Sequence, residues 1–360
     1  MNVLHIYPKD CKLIHQHVQL LVEGLKQSAN IMVADNNKSF YQQARDMKAD
    51  IIHVHGINQM LHTKAMRCAR KMNIRYVISL HGQLEPWAIK FQRANQRLGI
   101  LIAQKDYIEK AYAVISFGKM ETSSFKILGW NPRIEEIRNG VITNAISTAT
   151  MCSQTYSVYQ KVMDSNTQEL MSDDDRQLMA AILKAGITGD RRWLSNRSVK
   201  LNDISTESWR HLLIYAEHEN IRNYVDYGMN ILGLSSPMID TTKISAYYPK
   251  SYTRPMPIKT IIGEYDGKET DYLVRMIRQI HKQPLLLHLI ELTRELYRDT
   301  VNDDKLERAL EKEGLLAFSS QLMQILSEYT LLDEGYMPLP PIDNHQTTRI
   351  RKHITNHLKI

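Results

Sequence analysis

The first 147 residues alternate short apolar runs with longer stretches of helical period. The runs fall at 2–7 (NVLHIY), 30–34 (NIMVA), 50–55 (DIIHVH), 74–80 (IRYVISL), 111–117 (AYAVISF) and 133–138 (RIEEIR). Several are apolar without clean alternation, as expected for parallel strands covered on both faces. Between them, residues 12–28, 39–48, 58–72, 86–109 and 119–128 repeat apolar positions at helical spacing. This order predicts an α/β domain over 1–147, a Rossmann-like, doubly wound parallel sheet. Such sheets bind ligands outside the carboxyl ends of their strands. His55-Gly56, His81-Gly82, Phe117-Gly118 and Asn139-Gly140 all stand at such ends, which makes that rim the candidate site.

After about residue 150 the strand pattern fades. Helical period occupies 173–186, 206–232, 268–282, 284–299, 302–313 and 315–331. Ser172 before Asp173-Asp174-Asp175 is a capped helix start with acidic residues in the first turn, and Asn302-Asp303-Asp304 repeats it. Gly314 can close the latter helix. Proline-rich stretches at 249–257 and 338–341 interrupt the helices. A mainly α-helical domain is predicted over 156–332, with the boundary at 142–158. A proline-rich strap and a basic C-terminal helix follow over 333–360.

Composition narrows the class. With 43% hydrophobic and 24% charged residues among 360, the chain has the make-up of a soluble globular protein, and two domains are expected. No apolar run is long enough to span a membrane. The segment Met1 to Tyr7 is too short, and too polar afterwards, for a signal peptide. Cys11, Cys68 and Cys152 lie too far apart for a disulfide framework or a CxxC zinc knuckle, so a reducing cytoplasm is expected. Charge is uneven. Residues 1–150 hold 20 Lys+Arg against 11 Asp+Glu, and the remainder 26 against 28. A basic first half points to an anionic partner: a nucleotide, a phosphorylated lipid or an acidic membrane face. Nucleic acid is not expected, because there is no aromatic RNP motif, zinc finger or dense basic run.

"ADIIHVHG" (49–56), "VISLHGQLEPWAIK" (77–90), "AVISFGKMETSSFKILGW" (113–130) and "IEEIRNGVIT" (134–143) follow in order and spacing. Together they resemble the N-terminal domain of family 4 glycosyltransferases, which have the GT-B fold, over roughly the first 145 residues. In that family the N-terminal domain mainly binds acceptor and the C-terminal one binds the nucleotide-sugar donor. The resemblance implies that His81 faces the donor sugar as the catalytic-site histidine and that Gly82 lets backbone approach the ligand. Asn139-Gly140-Val141 matches the "NGV" near the hinge, and Glu121 matches a glutamate in the helix after "SFGKM". His55, Gly56, Glu85 and Gly118 complete the expected substrate-binding set. Two departures stand out. The family's first loop is glycine-rich, whereas "YPKDCKLIHQHV" has no glycine and offers the side-chain charge of Lys9, Lys12, His15 and His17. No glutamate pair separated by seven residues follows residue 150, so the usual donor domain is not visible.

Each signal has a plainer reading. His81 is either a ligand or a satisfied turn histidine. Of His53 and His55 on one strand, one is expected in the core and one toward the cleft. Glu85 before Pro86 also suits a helix start. Trp87, Phe91, Ala94, Leu98, Leu101 and Ile102 form an apolar arc bordered by Lys90, Arg93 and Arg97. With Lys64, Arg67, Lys71 and Arg75, these basic residues are either a solvated margin or a contact for an anionic lipid surface. His353 and His357 have metal-ligand spacing but no third ligand nearby. His211, Glu217 and His218 lack the His-Glu-x-x-His order of a zincin. Asp333-Glu334 belong to an interdomain strap or a partner-binding segment.

The expected function is glycosyl transfer from a nucleotide-sugar to a glycan or lipid-linked acceptor in surface-polysaccharide or glycolipid assembly. No metal and no cofactor beyond the nucleotide-sugar co-substrate is expected. The setting is cytoplasmic, with peripheral contact at the inner membrane face. Two alternatives remain: a non-catalytic acceptor-binding or regulatory protein, and half of a split transferase completed by a partner chain.

Overall fold

The computed structural model describes residues 1–85, 87–88, 104–140, 146–165, 167, 170–192, 204–239, 244–248, 252–298 and 302–356. Two compact units divide the chain: Met1–Ser165 with Thr242–Tyr248, and Asn166–Thr241 with Pro249–Ile360.

The first unit is α/β. Its elements run β1 (Asn2–Ile6), α1 (Lys12–Leu25), β2 (Asn30–Val33), α2 (Phe40–Asp46), β3 (Ile51–His55), α3 (Met60–Lys71) and β4 (Arg75–Ser79). They continue with α4 (Lys105–Glu109), β5 (Ala113–Ser116), α5 (Lys119–Leu128), β6 (Ile134–Glu136) and α6 (Thr148–Asp164). All neighbouring strands pair in parallel, in the order β2-β1-β3-β4-β5-β6. The strand order reverses between β1 and β3, the position where doubly wound sheets open a crevice. Each strand is a residue or more shorter than its apolar run, because pairing stops where the chain turns out of the sheet. Of the helix expected over 86–109, residues 87–88 and 104–109 belong to the described residues.

Period-two alternation divides the strand residues between two cores. Leu4, Ile6, Ile52, Val54, Ile78 and Leu80 pack under Ala65, Met66 and Ala69 of α3. Val3, Ile51, Val77 and Ile115 pack under Leu21 and Leu25 of α1 and Val158, Tyr159 and Val162 of α6. Helix α6 falls in the stretch expected to hold the domain boundary. The boundary instead follows Ser165, because α6 carries an apolar stripe that buries against α1. The two helices approach closely at Gly24, where an added Cβ would lie 2.4 Å from Cys152 Sγ. Ser147 caps α6 by accepting from the Thr150 amide. A 3-10 turn, Ile244–Tyr247, also joins this unit: the Tyr247 hydroxyl donates to Glu135 (3.2 Å), which pairs with Lys161 (2.8 Å).

Every regular element described in the second unit is helical: α7 (Asp173–Thr188), α8 (Thr206–His218), α9 (Arg222–Leu232), α10 (Ile258–Ile262), α11 (Glu269–Lys282), α12 (Leu286–Leu296), α13 (Asp303–Lys312), α14 (Leu316–Tyr329) and α15 (His345–Asn356), with a short 3-10 turn at Glu334–Tyr336. Ser172 and Asn302 cap their helices as their sequence context predicts. The single helix expected over 206–232 is broken at Asn220, whose φ of +55° reverses the chain. Helices α7 and α9 cross at glycines. A Cβ on Gly186 would lie 2.2 Å from the Tyr224 carbonyl oxygen, and one on Gly228 would lie 2.0 Å from that of Ile182. Lys184, fully buried, pairs with Asp333 at 2.6 Å and so fixes the Asp333-Glu334 segment within this unit. Among the described residues, no helix is long and apolar enough to cross a membrane.

Candidate functional site

The carboxyl ends of β1, β3 and β4 carry an unusual polar layer on the face covered by α1 and α6. Along each strand, the residues on that face change from apolar to polar: Val3 then His5, Ile51 then His53 and His55, Val77 then Ser79. His5 and His53 are lateral neighbours in the sheet, as are His55 and Ser79. His53 and His55 are two apart, so period two places both on this face, and their rings stack at 4.0 Å. The expectation of one core and one cleft histidine is thereby corrected: both are fully buried. His17 from α1 and Tyr159 from α6 close the layer.

Hydrogen bonds link these groups into a chain. His81 Nε2 meets His55 Nδ1 at 3.2 Å, and His55 Nε2 meets His5 Nδ1 at 2.9 Å. His5 Nε2 meets the Tyr159 hydroxyl at 3.3 Å, which meets His53 Nδ1 at 2.5 Å. His53 Nε2 ends the chain on Ser79 Oγ at 2.8 Å. Each neutral imidazole has one donor and one acceptor nitrogen. The protons can therefore run from His81 to Ser79, or the whole series can reverse.

Burial keeps these rings neutral. Desolvation, with a smaller contribution from His17, lowers His5 from 6.5 to about 3. Desolvation also lowers His17 to about 4, against an opposing hydrogen bond from Asn139. His53, His55 and His81 fall well below the usual imidazole range, desolvation again being the largest cause. The charge expected of His17 in the first loop is therefore absent; its Nδ1 instead meets Asn139 Oδ1 at 3.3 Å. Lys12 is exposed, while Lys9 and His15 line a groove of about 870 Å³ with Tyr7, Gln16, Gln19 and Lys26. Tyr7 joins that groove to the imidazole layer: its hydroxyl lies 2.8 Å from His15 Nδ1 and its ring 6.4 Å from that of His55.

The turn after β4 carries the layer to the surface. His81 and Gly82 have φ of +52° and +75°, and the Gln83 amide closes the turn on the Leu80 carbonyl. A histidine in left-handed backbone costs of order 1 kcal/mol, which the surroundings must offset. They do so from two sides. Gln83 Oε1 accepts from the Ile57 amide at 2.7 Å, and Glu121 accepts from both the Gly82 amide (2.5 Å) and the Phe117 amide (2.8 Å). Burial raises the Glu121 carboxyl to about 7 despite those two amides.

The candidates of the rim thus separate. His81, Gly82, Glu85, Gly118 and Gly140 are partly exposed. Glu85 accepts from the Trp87 indole N–H, and Gly118 opens α5 in ordinary extended backbone. His55 lies behind His81 rather than at the rim, with both nitrogens engaged by other histidines. Gly56 is buried, and a Cβ there would lie 2.9 Å from the His62 ring. Glu121 turns to backbone amides, and Asn139, 4% exposed, orients His17. Lys64, Arg67 and Lys71 share the exposed side of α3. Lys90, Arg93 and Arg97 lie outside the described residues. Sequence reasoning missed His5, His53 and Tyr159 as members of one cluster. The alternate positions of NVLHIY and DIIHVH carried the signal for the first two; Tyr159 gave none.

Compared with protein-family models, curated proteins and solved structures, the chain matches none.

Proposed function

We propose that the α/β unit is the sugar-recognising half of a glycosyltransferase, acting between a nucleotide-sugar and a glycan or lipid-linked acceptor. One observation carries the reading. A neutral, partly exposed His81 is held in a left-handed turn at the carboxyl end of β4, beside the point where the strand order reverses. A neutral imidazole in that place donates to or accepts from a hydroxyl; it does not pair with a phosphate by charge. Its Nε2 is taken by His55, and its Nδ1 has no hydrogen-bond partner among the described residues. A sugar hydroxyl suits that free nitrogen. Phosphate would find Lys119 and the first-turn amides of α5, which Glu121 ties to the His81-Gly82 turn. The groove that sets Lys9, His15, Gln16, Gln19, Glu23 and Lys26 beside Leu20, Val22 and Val33 suits an acceptor with both hydroxyls and apolar surface. The exposed stripe of Lys64, Arg67 and Lys71 suits the acidic membrane face where a lipid-linked acceptor resides.

The second unit, whose elements are all helical among the described residues, favours one variant of this reading, in which a partner chain supplies the donor domain. Calorimetric titration of UDP- and GDP-hexoses into the intact chain tests both. Binding that His81→Ala weakens about tenfold or more, near 1.4 kcal/mol, at unchanged melting temperature supports the transferase. Binding that requires a second chain supports the split form. No binding at about 1 mM with or without a partner, a limit near −4 kcal/mol, would falsify the transferase reading.

A further inference from the structure

We infer that His17, His55 and His81 form a binding site for a first-row divalent metal ion of the zinc class, with three protein ligands and an open position. The inference rests on the imidazoles alone and stands independently of glycosyl transfer. It also departs from the metal-free site that sequence reasoning expects.

One ring nitrogen from each of the three residues lies within 4.8 Å of the other two. The ring centres form a nearly equilateral triangle, with sides of 5.3 Å (His17–His81), 5.4 Å (His55–His81) and 5.8 Å (His17–His55). A tetrahedral ion with Zn–N bonds near 2.05 Å requires ligand nitrogens about 3.3 Å apart. His55 Nδ1 and His81 Nε2 already stand 3.2 Å apart. That edge is a hydrogen bond in the free protein, and an ion would displace the shared proton. The two sides that involve His17, whose ligand nitrogen lies within 4.8 Å of the other two, close by an inward movement of its ring.

The surroundings supply what such ligands need. A metal-binding imidazole usually donates its other N–H to a fixed acceptor. His55 does so from Nε2 to His5 Nδ1, and the onward bonds through Tyr159 to His53 and Ser79 can all align in that direction. His17 Nδ1 is oriented by Asn139 Oδ1, leaving Nε2 as its ligand atom. His81 is placed by a turn that Glu121 and Gln83 hold. The ligands come from α1, the end of β3 and the turn after β4, all anchored in one core. His5, His53 and His55 also cluster, but all three are fully buried and, apart from His55 Nδ1, which faces His81, their nitrogens are committed to Tyr159, Ser79 and one another. Of the open set, His17 is 2% exposed, His55 is fully buried and His81 is partly exposed. An exchangeable ligand therefore arrives from the His81 side. Three imidazoles without a carboxylate select zinc, or nickel, copper, cobalt or iron(II), over magnesium and calcium.

The test uses the intact chain stripped with chelator, then titrated with Zn²⁺ against a chromophoric competitor and separately with Co²⁺. One equivalent should bind with Kd at or below about 1 μM. Co²⁺ should show the visible bands of a four- or five-coordinate site. His81→Ala and His17→Ala should each weaken binding at least about tenfold, while His353→Ala leaves it unchanged. Circular dichroism checks each variant's fold; if His17→Ala unfolds, His81→Ala on the partly exposed turn decides the matter. Tight binding that survives His81→Ala, or no binding tighter than about 100 μM by the folded wild type, overturns the inference.

Discussion

Acid should loosen the α/β unit through its buried imidazoles. In the unfolded chain His5 and His17 titrate near 6.5, whereas in the fold they titrate near 3 and 4. Above pH 6.5 both states are neutral and nothing changes. Below it the unfolded chain takes up protons that the fold refuses, so stability falls as pH drops, until the folded values are reached. At pH 5.0 each residue costs about 2 kcal/mol relative to pH 7.5, or about 4 kcal/mol together. Glu121 works in the opposite sense. Its folded value, raised from 4.5 to about 7, makes the fold hold a proton that the unfolded chain releases. Acidification from 7.5 to 5.0 therefore returns about 2 kcal/mol. His53, His55 and His81 are lowered too and add to the loss, so the net should be no smaller than about 2 kcal/mol. Amide hydrogen exchange at Leu4, Ile52 and Val54, measured with chelator present and corrected for intrinsic rates, reads this opening free energy within the unit itself. A free energy that stays level or rises between pH 7.5 and 5.0 would show that the rings are not held neutral, and the description of the layer would fail.

Two further outcomes follow from particular contacts. Gly186→Ala should destabilise the helical unit by about 2 kcal/mol in urea unfolding, because its Cβ meets the Tyr224 carbonyl oxygen, although alanine's helix preference recovers up to about 1 kcal/mol; an unchanged midpoint would mean that α7 and α9 do not cross there. Replacing Lys64, Arg67 and Lys71 with glutamate should abolish co-sedimentation with vesicles rich in anionic lipid, each cation being worth about 1 kcal/mol at such a surface; equal sedimentation of wild type and variant would remove α3 from the membrane reading.

Much of the fold can be read along the chain. All six strands and the helix starts at Ser172 and Asn302 lie where local pattern places them, and His81-Gly82 forms the turn after β4. These depend on residues within a few positions of one another. The departures have local causes as well. Thr148–Asp164 overlaps the 142–158 stretch expected to hold the domain boundary, yet Met151, Cys152, Thr155, Val158, Tyr159 and Val162 keep helical spacing and bury. Asn220 breaks a continuous periodic stretch because it adopts left-handed backbone, a choice its neighbours do not announce. Glu121 enters the expected site through its match to the family's glutamate after "SFGKM", and nothing local shows that its carboxylate accepts from the Phe117 and Gly82 amides.

By itself, the sequence determined an α/β first half whose strand ends collect histidines and glycines, because alternation and helical period are short-range properties of the chain. The tertiary structure decided that residues 5, 17, 53, 55, 81 and 159 share one polar layer. Strand order sets β1 beside β3, register sets His5 beside His53, and helix packing lowers His17 and Tyr159 onto them. Proton affinity and ligand geometry depend on separations of a few ångströms and on the removal of water. Both are fixed only when segments distant in the chain close around one core.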